Sequence, residues 1–255
     1  MEETISQLPP LLLFAAYAVF WGWEALYTAR PQPAQRGRRA RNLALSAICI
    51  VIAAASGTAV LWLSAIAARE HWGFMQWLEV PAAVACVAGV ILLDLTEYVR
   101  HRLSHAVPVL WRLHRVHHSD LAVDVTTSLR NHPIEILLRP LFLSAAVILS
   151  GIVPLAVLLQ PLMQLPILVF QHANVRLPLA LDRALSWVIV TPGMHLVHHS
   201  RGRPEADSNY STFLTVWDRL FGTFRPTEIP AAIGVDGFDQ PRSQTMLGLL
   251  ATPFR

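Results

Sequence analysis

The sequence contains no lysine, only two cysteines and few charged residues of either sign. All 20 basic side chains are arginine, the formal net charge is +3, and 15% of the residues are charged, against about 25% in an average soluble domain. Hydrophobic residues make up 54% of the chain, and its mean hydropathy is +0.44. This composition predicts an integral membrane protein. Because no basic stripe alternates with aromatic residues, we expect no nucleic-acid partner.

The two cysteines, Cys49 and Cys86, both lie in apolar runs and are expected to be packing residues. Neither is near a histidine, which excludes a zinc finger. The N-terminal segment is acidic where a signal peptide would be basic. We therefore expect the first apolar run to be a retained membrane helix.

Histidine is abundant and patterned. Eight of the 11 histidines fall into three groups at helical spacing, H-x-x-x-H once and H-x-x-H-H twice. These are His101 and His105; His114, His117 and His118; and His195, His198 and His199. Residues three and four apart share one face of a helix, so each group presents its imidazoles in one direction. Imidazole binds iron, zinc and copper well, and eight such ligands suffice for two metal ions.

The apolar segments predict an all-α, polytopic membrane protein with about four to five transmembrane or re-entrant helices and a cytoplasmic, histidine-rich helical cap. We expect one domain over residues 1–255. It would begin with N-terminal spans at 11–93, followed by a first histidine region at 94–132 and a membrane hairpin at 134–170. A cap with the last histidine motif at 172–224 and a C-terminal tail at 225–255 would complete it. The expected N-terminal spans are Leu11–Tyr27, Leu43–Ala68 and Trp77–Leu93, and an amphipathic interfacial helix is expected over Leu179–Val190.

An arginine-rich segment, Arg30–Arg41, is expected to be a solvated cytoplasmic loop. Counting spans from it places every histidine except His71 on the cytoplasmic side. His132 and His172, at the two ends of the hairpin, join the three groups there. The expected metal ligands are therefore His101, His105, His114, His117, His118, His132, His172, His195, His198 and His199. Carboxylates often orient such ligands. Asp94 and Glu97, which precede His101 on one helix, rank highest for that role. The full set of acidic candidates is Asp94, Glu97, Asp120, Asp124, Glu135 and Asp207.

These motifs together resemble the fatty acid hydroxylase/sterol desaturase superfamily. The segment Asn131–Glu135 is similar to its His-Pro-x-Glu motif, and Gln171–Asn174 is similar to its isolated histidine after the hairpin. Asn209–Thr212 and Trp217–Thr223 are similar to its C-terminal signature, so the resemblance covers Leu93–Thr223. The resemblance implies a di-iron centre that uses O2 to oxidise an unactivated C–H bond of a lipid. A further candidate to support the ligands is Asn174.

Hydroxylation is the expected reaction, and desaturation at the same centre is the alternative. A non-catalytic metal-binding or transport protein would place histidines or acids in mid-membrane, where the expected spans carry few. The lipid substrate is left open between sterol, fatty acyl, glycerol ether and carotenoid. We expect the helices to form an apolar slot for it, lined by residues of Trp77–Leu93 and of the hairpin. Because no flavin or haem motif is present, we expect an external electron donor, ferredoxin-like or a small cytochrome. Arg112 and Arg115 could dock it, although positive-inside topology also accounts for them. The expected location is a bacterial inner membrane.

Overall fold

The computed structural model describes residues 2–32, 37–78, 80–228 and 230–255. These residues form helices and connecting loops, with two isolated β-bridges. The α-helices are α1 (Glu2–Leu26), α2 (Arg38–Arg69), α3 (Phe74–Trp77), α4 (Ala82–Ala106), α5 (Pro108–His118), α6 (Pro133–Ser150), α7 (Pro154–His172), α8 (Leu179–Leu185), α9 (Pro192–His198), α10 (Arg203–Ala206), α11 (Val216–Leu220) and α12 (Met246–Ala251). The all-α prediction is confirmed.

Among the described residues, four helical segments are long and apolar enough to cross a membrane, which makes the chain an integral membrane protein. They are Arg38–Trp77, Ala82–Ala106, Pro133–Ser150 and Pro154–His172, and the apolar part of α1, Pro10–Leu26, is shorter. Two expected boundaries were wrong. Trp77 belongs to the short α3, because Pro81 caps the start of α4. The expected interfacial helix ends at Leu185, after which the chain turns so that Ile189 can bridge to Leu214.

The hairpin consists of α6 and α7, as predicted, and turns at Gly151. This glycine has a φ of 74° and ends α6 in the left-handed conformation that favours glycine. Gly73, which also has a positive φ, lies against it, and a Cβ on Gly73 would be 2.0 Å from the Gly151 nitrogen. This close contact fixes the end of the helix bundle that lies away from the histidines. The apolar core between α2, α4, α6 and α7 includes Val60, Leu93, Val147, Ile152 and Ala156.

The arginine-rich segment is only partly the solvated loop that the sequence suggests, because Arg38 begins α2 and is buried whereas Arg39 is exposed. Arg38 is 4% exposed and donates to Asp120 at 2.8 Å, and it also pairs with Asp124. Arg130, which is equally buried, pairs with Asp120 at 3.1 Å. These ion pairs hold the loop after α5 against the start of α2. Arg36 lies outside the described residues.

The C-terminal tail is packed. Leu249 of α12 contacts Leu45 and Val116, which places the tail against α2 and α5. The Arg115 guanidinium donates to the carbonyl oxygens of Thr252 and Arg255, each at 2.5 Å. Arg115 thus holds the chain end, and we drop it as a docking site for a partner.

Candidate metal centre

Nine buried histidines meet at the end of the bundle opposite Gly151. The last turns of α4 carry His101 and His105, the last residue of α7 is His172, and the remaining six lie on α5 and at the end of α9. The two short helices start where proline and capping residues require. Pro108 begins α5, and the Thr191 hydroxyl caps α9 by accepting from the Met194 nitrogen at 3.3 Å.

The nine rings form two adjoining groups. Within each group, one ring nitrogen from every residue lies within 4.8 Å of the others. The first group is His101, His105, His114, His118 and His198, and the second group is His117, His172, His195 and His199. The groups share a boundary, since the His118 ring centroid lies 4.6 Å from the ring centroids of both His198 and His199.

In the first group, hydrogen bonds from Nδ1 fix the tautomers of three imidazoles. His101 Nδ1 donates to the Tyr210 carbonyl, and His198 Nδ1 donates to the Ser208 carbonyl, each at 2.7 Å. His114 Nδ1 lies 2.7 Å from Glu135. A carbonyl or carboxylate oxygen accepts, so the hydrogen of a neutral ring sits on Nδ1 and the lone pair on Nε2.

These lone pairs point at one another. His101 Nε2 lies 3.0 Å from Nε2 of His114 and 3.0 Å from Nε2 of His198. With neutral rings no hydrogen remains to lie between them, and Nε2 of both His105 and His118 is buried without a partner among the described residues. A bound cation would satisfy all five nitrogens, and this donor set fits a transition metal.

The second group repeats the arrangement with fewer ligands. His172 Nδ1 donates to the Leu168 carbonyl at 2.7 Å, and its Nε2 lies 3.1 Å from His117 Nε2 and 2.9 Å from His195 Nε2. His195 Nε2 is in turn 3.1 Å from His199 Nε2. Four nitrogens again converge within a buried volume, so this group can hold a second ion.

Burial keeps the imidazoles on α5 and at the end of α9 neutral. It lowers the pKa of His198 to about 4. It also lowers the pKa values of the other five histidines of these helices well below their ordinary value, and neighbouring imidazoles lower them further; these are His114, His117, His118, His195 and His199. Neutral imidazole is the metal-binding form, so the site is ready to bind near neutral pH.

The cap holds the first group in place through backbone groups that sequence reasoning missed. Asp218 is fully buried and accepts from the Tyr210 and Ser211 nitrogens at 2.7 and 3.0 Å. This contact positions the Tyr210 carbonyl that receives the His101 hydrogen. Asn209, at a positive φ of 53°, donates to the Met194 carbonyl at 2.9 Å and so ties the same loop to α9. Backbone carbonyls leave no sequence pattern, but the Asn-Tyr and Trp-Asp-Arg segments do mark where they lie.

A cavity of about 490 Å³ leads from the histidines into the membrane part of the bundle. His101, His114, His117, His172 and His195 line its inner end. Its apolar wall comes mainly from α2, α6 and α7, with Leu93 the contribution from the expected Trp77–Leu93 segment. The expected lining by the hairpin is therefore confirmed, whereas the expected lining by Trp77–Leu93 was wrong except at Leu93, and residues of α2 line the cavity in addition. The volume is in the range of pockets that enclose a small organic ligand.

Residues 86–223 match the fatty acid hydroxylase family model, which is more than half of the chain. The chain belongs to the fatty acid hydroxylase family. It is 31% identical over 222 residues to ornithine lipid hydroxylase OlsE of Rhizobium tropici, covering 80% of this chain and 62% of that protein. It is also 31% identical over 161 residues to alkylglycerol monooxygenase of Danio rerio, covering 61% of this chain and 34% of that protein.

The cholesterol 25-hydroxylase-like protein of Danio rerio is a third relative, 29% identical over 160 residues, which are 60% of this chain and 62% of that protein. The matches thus span less than two thirds of the length of each of these relatives. No solved structure matches the chain. The region matched by the family model agrees with the resemblance expected over Leu93–Thr223.

Of the ten expected ligands, His132 is placed outside both groups. It caps α6, and its Nδ1 accepts from the Ile134 nitrogen at 3.2 Å while Nε2 lies 3.2 Å from the Leu250 carbonyl. Both ring nitrogens are thus occupied, and we remove His132 from the ligand set. His71 is exposed and remote from the groups, as expected.

Some of the residues expected to support the ligands contact a histidine and others do not. Asp120 and Asp124 pair with Arg38 instead of a histidine. Glu135 contacts His114, and Asp207 lies 3.1 Å from His105 Nδ1. Asp94 instead accepts from Trp217 Nε1 at 2.8 Å. The other two candidates have partners away from the histidines: Glu97 pairs with Arg100 and Arg139, and Asn174 contacts Glu24 and Arg30. The high rank expected for Asp94 and Glu97 is therefore not supported by their contacts.

Proposed function

We propose that this family member is an O2-dependent di-iron oxygenase that hydroxylates an unactivated C–H bond of a membrane lipid. One observation carries the proposal: two adjoining groups of buried imidazole nitrogens open onto an apolar cavity inside a membrane protein. The relatives are named as lipid hydroxylases and monooxygenases, which favours insertion of oxygen over desaturation. Their different substrates leave the lipid class open.

The nine histidines would hold the two ions, five in the first group and four in the second. Iron suits an all-nitrogen site of this kind, whereas a structural zinc site closes with four ligands and needs no partner site or cavity. When bound, the pair of irons would supply the oxidising power by which R–H, O2, two electrons and two protons become R–OH and water.

The protein residues orient the imidazole ligands, bind the substrate and shield the site from water. Tyr210, Ser208 and Leu168 fix ring tautomers through their carbonyls, and Glu135 and Asp207 do so through carboxylates. The apolar wall of the cavity excludes water and holds an alkyl chain beside the histidines. Such positioning lowers the entropic part of the barrier, and the redox chemistry belongs to the metal.

The electrons would come from an external ferredoxin-like protein or small cytochrome. The substrate would enter from the bilayer, and residues 1–255 would act as a single catalytic domain. We also propose a bacterial inner membrane as the location, with the histidine groups on the cytoplasmic side, because arginines concentrate at that end of α2.

Lipid mass spectrometry of cells with and without the protein tests the reaction. We expect lipids that have gained one oxygen atom, and His198→Ala should abolish both this product and iron loading. His71→Asn is the matched control, because His71 is exposed, lies far from the site and has a positive φ that asparagine tolerates. Loss of two hydrogens from the lipid would instead establish a desaturase, and unchanged product from His198→Ala would overturn the site assignment.

A further inference from the structure

One wall of the cavity is polar, although most of it lies on membrane-spanning helices. We call this set the polar wall, and it consists of Glu97, Arg100, Arg139, Gln160, Gln164 and Thr212. The other residues that line the membrane part of the cavity are largely aliphatic and come mainly from α2, α6 and α7. Charged side chains inside a membrane are costly, and where they occur they usually face a functional cavity.

The polar wall is linked by a continuous set of contacts. Glu97 accepts from Arg139 Nε at 2.5 Å and from Arg100 Nε at 2.9 Å. Gln164 Oε1 accepts from Arg139 Nη2 at 3.2 Å and from Gln160 Nε2 at 2.9 Å. These contacts orient the wall without using all of its hydrogen-bonding capacity.

The unused capacity belongs to Arg139, which lines the cavity. The Arg139 side chain is 29% exposed, and its Nη1 has no hydrogen bond among the residues that the structure describes. A guanidinium nitrogen can only donate, so its partner in a ligand would be an acceptor oxygen.

The polar wall lies close to the histidines. Glu135, whose carboxylate contacts His114, precedes Arg139 by four residues on α6, which is about 6 Å along a helix axis. A group bound at Arg139 would therefore lie about one helical turn deeper in the membrane than the first histidine group.

The charges of this region balance, with Glu97 and Glu135 paired to Arg100 and Arg139. A balanced wall offers no net charge to an ionic headgroup, but it does offer hydrogen bonds. We propose that the polar wall is a recognition subsite for a neutral oxygen function of the lipid, a hydroxyl or a carbonyl, bound by Arg139. The inference rests on the proposed function, and it implies that the oxidised carbon lies near an oxygen-bearing group of the substrate.

A binding measurement without turnover tests the subsite separately from the reaction. The purified full chain in detergent is titrated with 1-hexadecanol and with hexadecane, which differ by one hydroxyl, while intrinsic tryptophan fluorescence or thermal stabilisation is followed. We expect the wild type to prefer the alcohol, and Arg139→Met to reduce that preference about 10- to 100-fold, the usual effect of losing one hydrogen bond to a charged donor. Comparing the ratio of affinities between proteins cancels the different partitioning of the two ligands into micelles.

Two further variants complete the test. Gln160→Met removes one polar group of the wall without touching an ion pair, so it folds even if Arg139→Met does not, and it should reduce the preference severalfold. Leu143→Met, four residues after Arg139 and also lining the cavity, is the control and should retain it. An unchanged preference in both Arg139→Met and Gln160→Met would overturn the subsite. Because the assay measures binding and needs no oxidation, its result can be interpreted even if the proposed reaction does not occur.

Discussion

Replacing Asp218 with asparagine should weaken metal binding although this residue contacts no histidine. Its Oδ1 accepts from the Tyr210 nitrogen and the Thr223 hydroxyl, both at 2.7 Å, and its Oδ2 accepts from the Ser211 nitrogen at 3.0 Å. Asparagine retains one acceptor oxygen, but its amide group would face a second N–H donor. Since a hydrogen bond to a charged group contributes about 1.5–3 kcal/mol and the buried donor is also left unpaired, we expect a loss of about 2–4 kcal/mol in stability.

The same substitution would shift the Tyr210 carbonyl that fixes His101. Loss of an interaction that orients a metal ligand typically costs 10–100-fold in metal affinity, so we expect Asp218→Asn to bind iron about 10–100 times more weakly. Thermal unfolding and iron titration of the purified protein measure the two effects separately.

Asp239→Asn is the matched control. Asp239 lies on the surface, 3.6 Å from Arg201, with its side chain 47% exposed. Exposed pairs of this kind contribute about 0–1 kcal/mol, so neither stability nor iron affinity should change measurably. If Asp218→Asn were destabilised but bound iron as tightly as the wild type, the cap would be a structural element only and the positioning argument would be refuted.

Three further predictions concern the fold. Arg38→Met should destabilise the protein by about 1.5–3 kcal/mol, because the buried carboxylates of Asp120 and Asp124 each lose a charged donor. Asp120 keeps its pair with Arg130, and Asp124 keeps its pair with Arg39. Arg69→Met at an exposed pair should cost under about 1 kcal/mol. Gly73→Ala should lower the melting temperature, since its Cβ would clash with backbone at 2.0 Å, while Gly22→Ala meets no atom within 4 Å and should be neutral or stabilising. The metal-free protein should lose stability as the pH falls from about 6.5 toward 4, because the unfolded chain binds protons in this window that folded His198, with a pKa of about 4, does not.

Each of these has a contrary outcome. Equal denaturation midpoints for Arg38→Met and Arg69→Met would contradict a stabilising role of the buried ion pairs between α2 and the loop after α5. A melting temperature for Gly73→Ala at or above that of the wild type would show that the two turns do not pack as described. Constant thermal stability of the metal-free protein between pH 6.5 and 4 would contradict burial of neutral imidazoles.

The sequence predicted those features that depend on local periodicity. Helical spacing grouped His101 with His105, and Thr191-Pro192-Gly193 marked the start of α9. Gly151 marked the hairpin turn in the same way. Such features are set within a few residues, so they are readable without tertiary contacts.

The division of histidines between two groups could not be predicted from spacing. Adjacent residues His117 and His118 belong to different groups, and so do His198 and His199. Neighbouring positions on a helix point about 100° apart, and only the crossing of α4, α5 and α9 decides which rings meet. The sequence also predicts His132 as a ligand. Its role as a helix cap depends on where α6 begins, which spacing does not show.

Buried ion pairs were missed because their partners are far apart in the sequence. Arg38 looked like part of a topogenic arginine cluster, and its partner Asp120 lies 82 residues away. The polar wall was missed although Gln160 and Gln164, four residues apart in an otherwise apolar helix, were a readable sign of a polar face.

The central claim is that nine histidines hold a pair of iron ions, and the metal content of the full chain tests it most directly. Protein purified from iron-replete cells should contain about two iron ions per chain and little zinc, as measured by plasma mass spectrometry against amino-acid analysis. One metal ion per chain, or zinc in place of iron, would contradict the account.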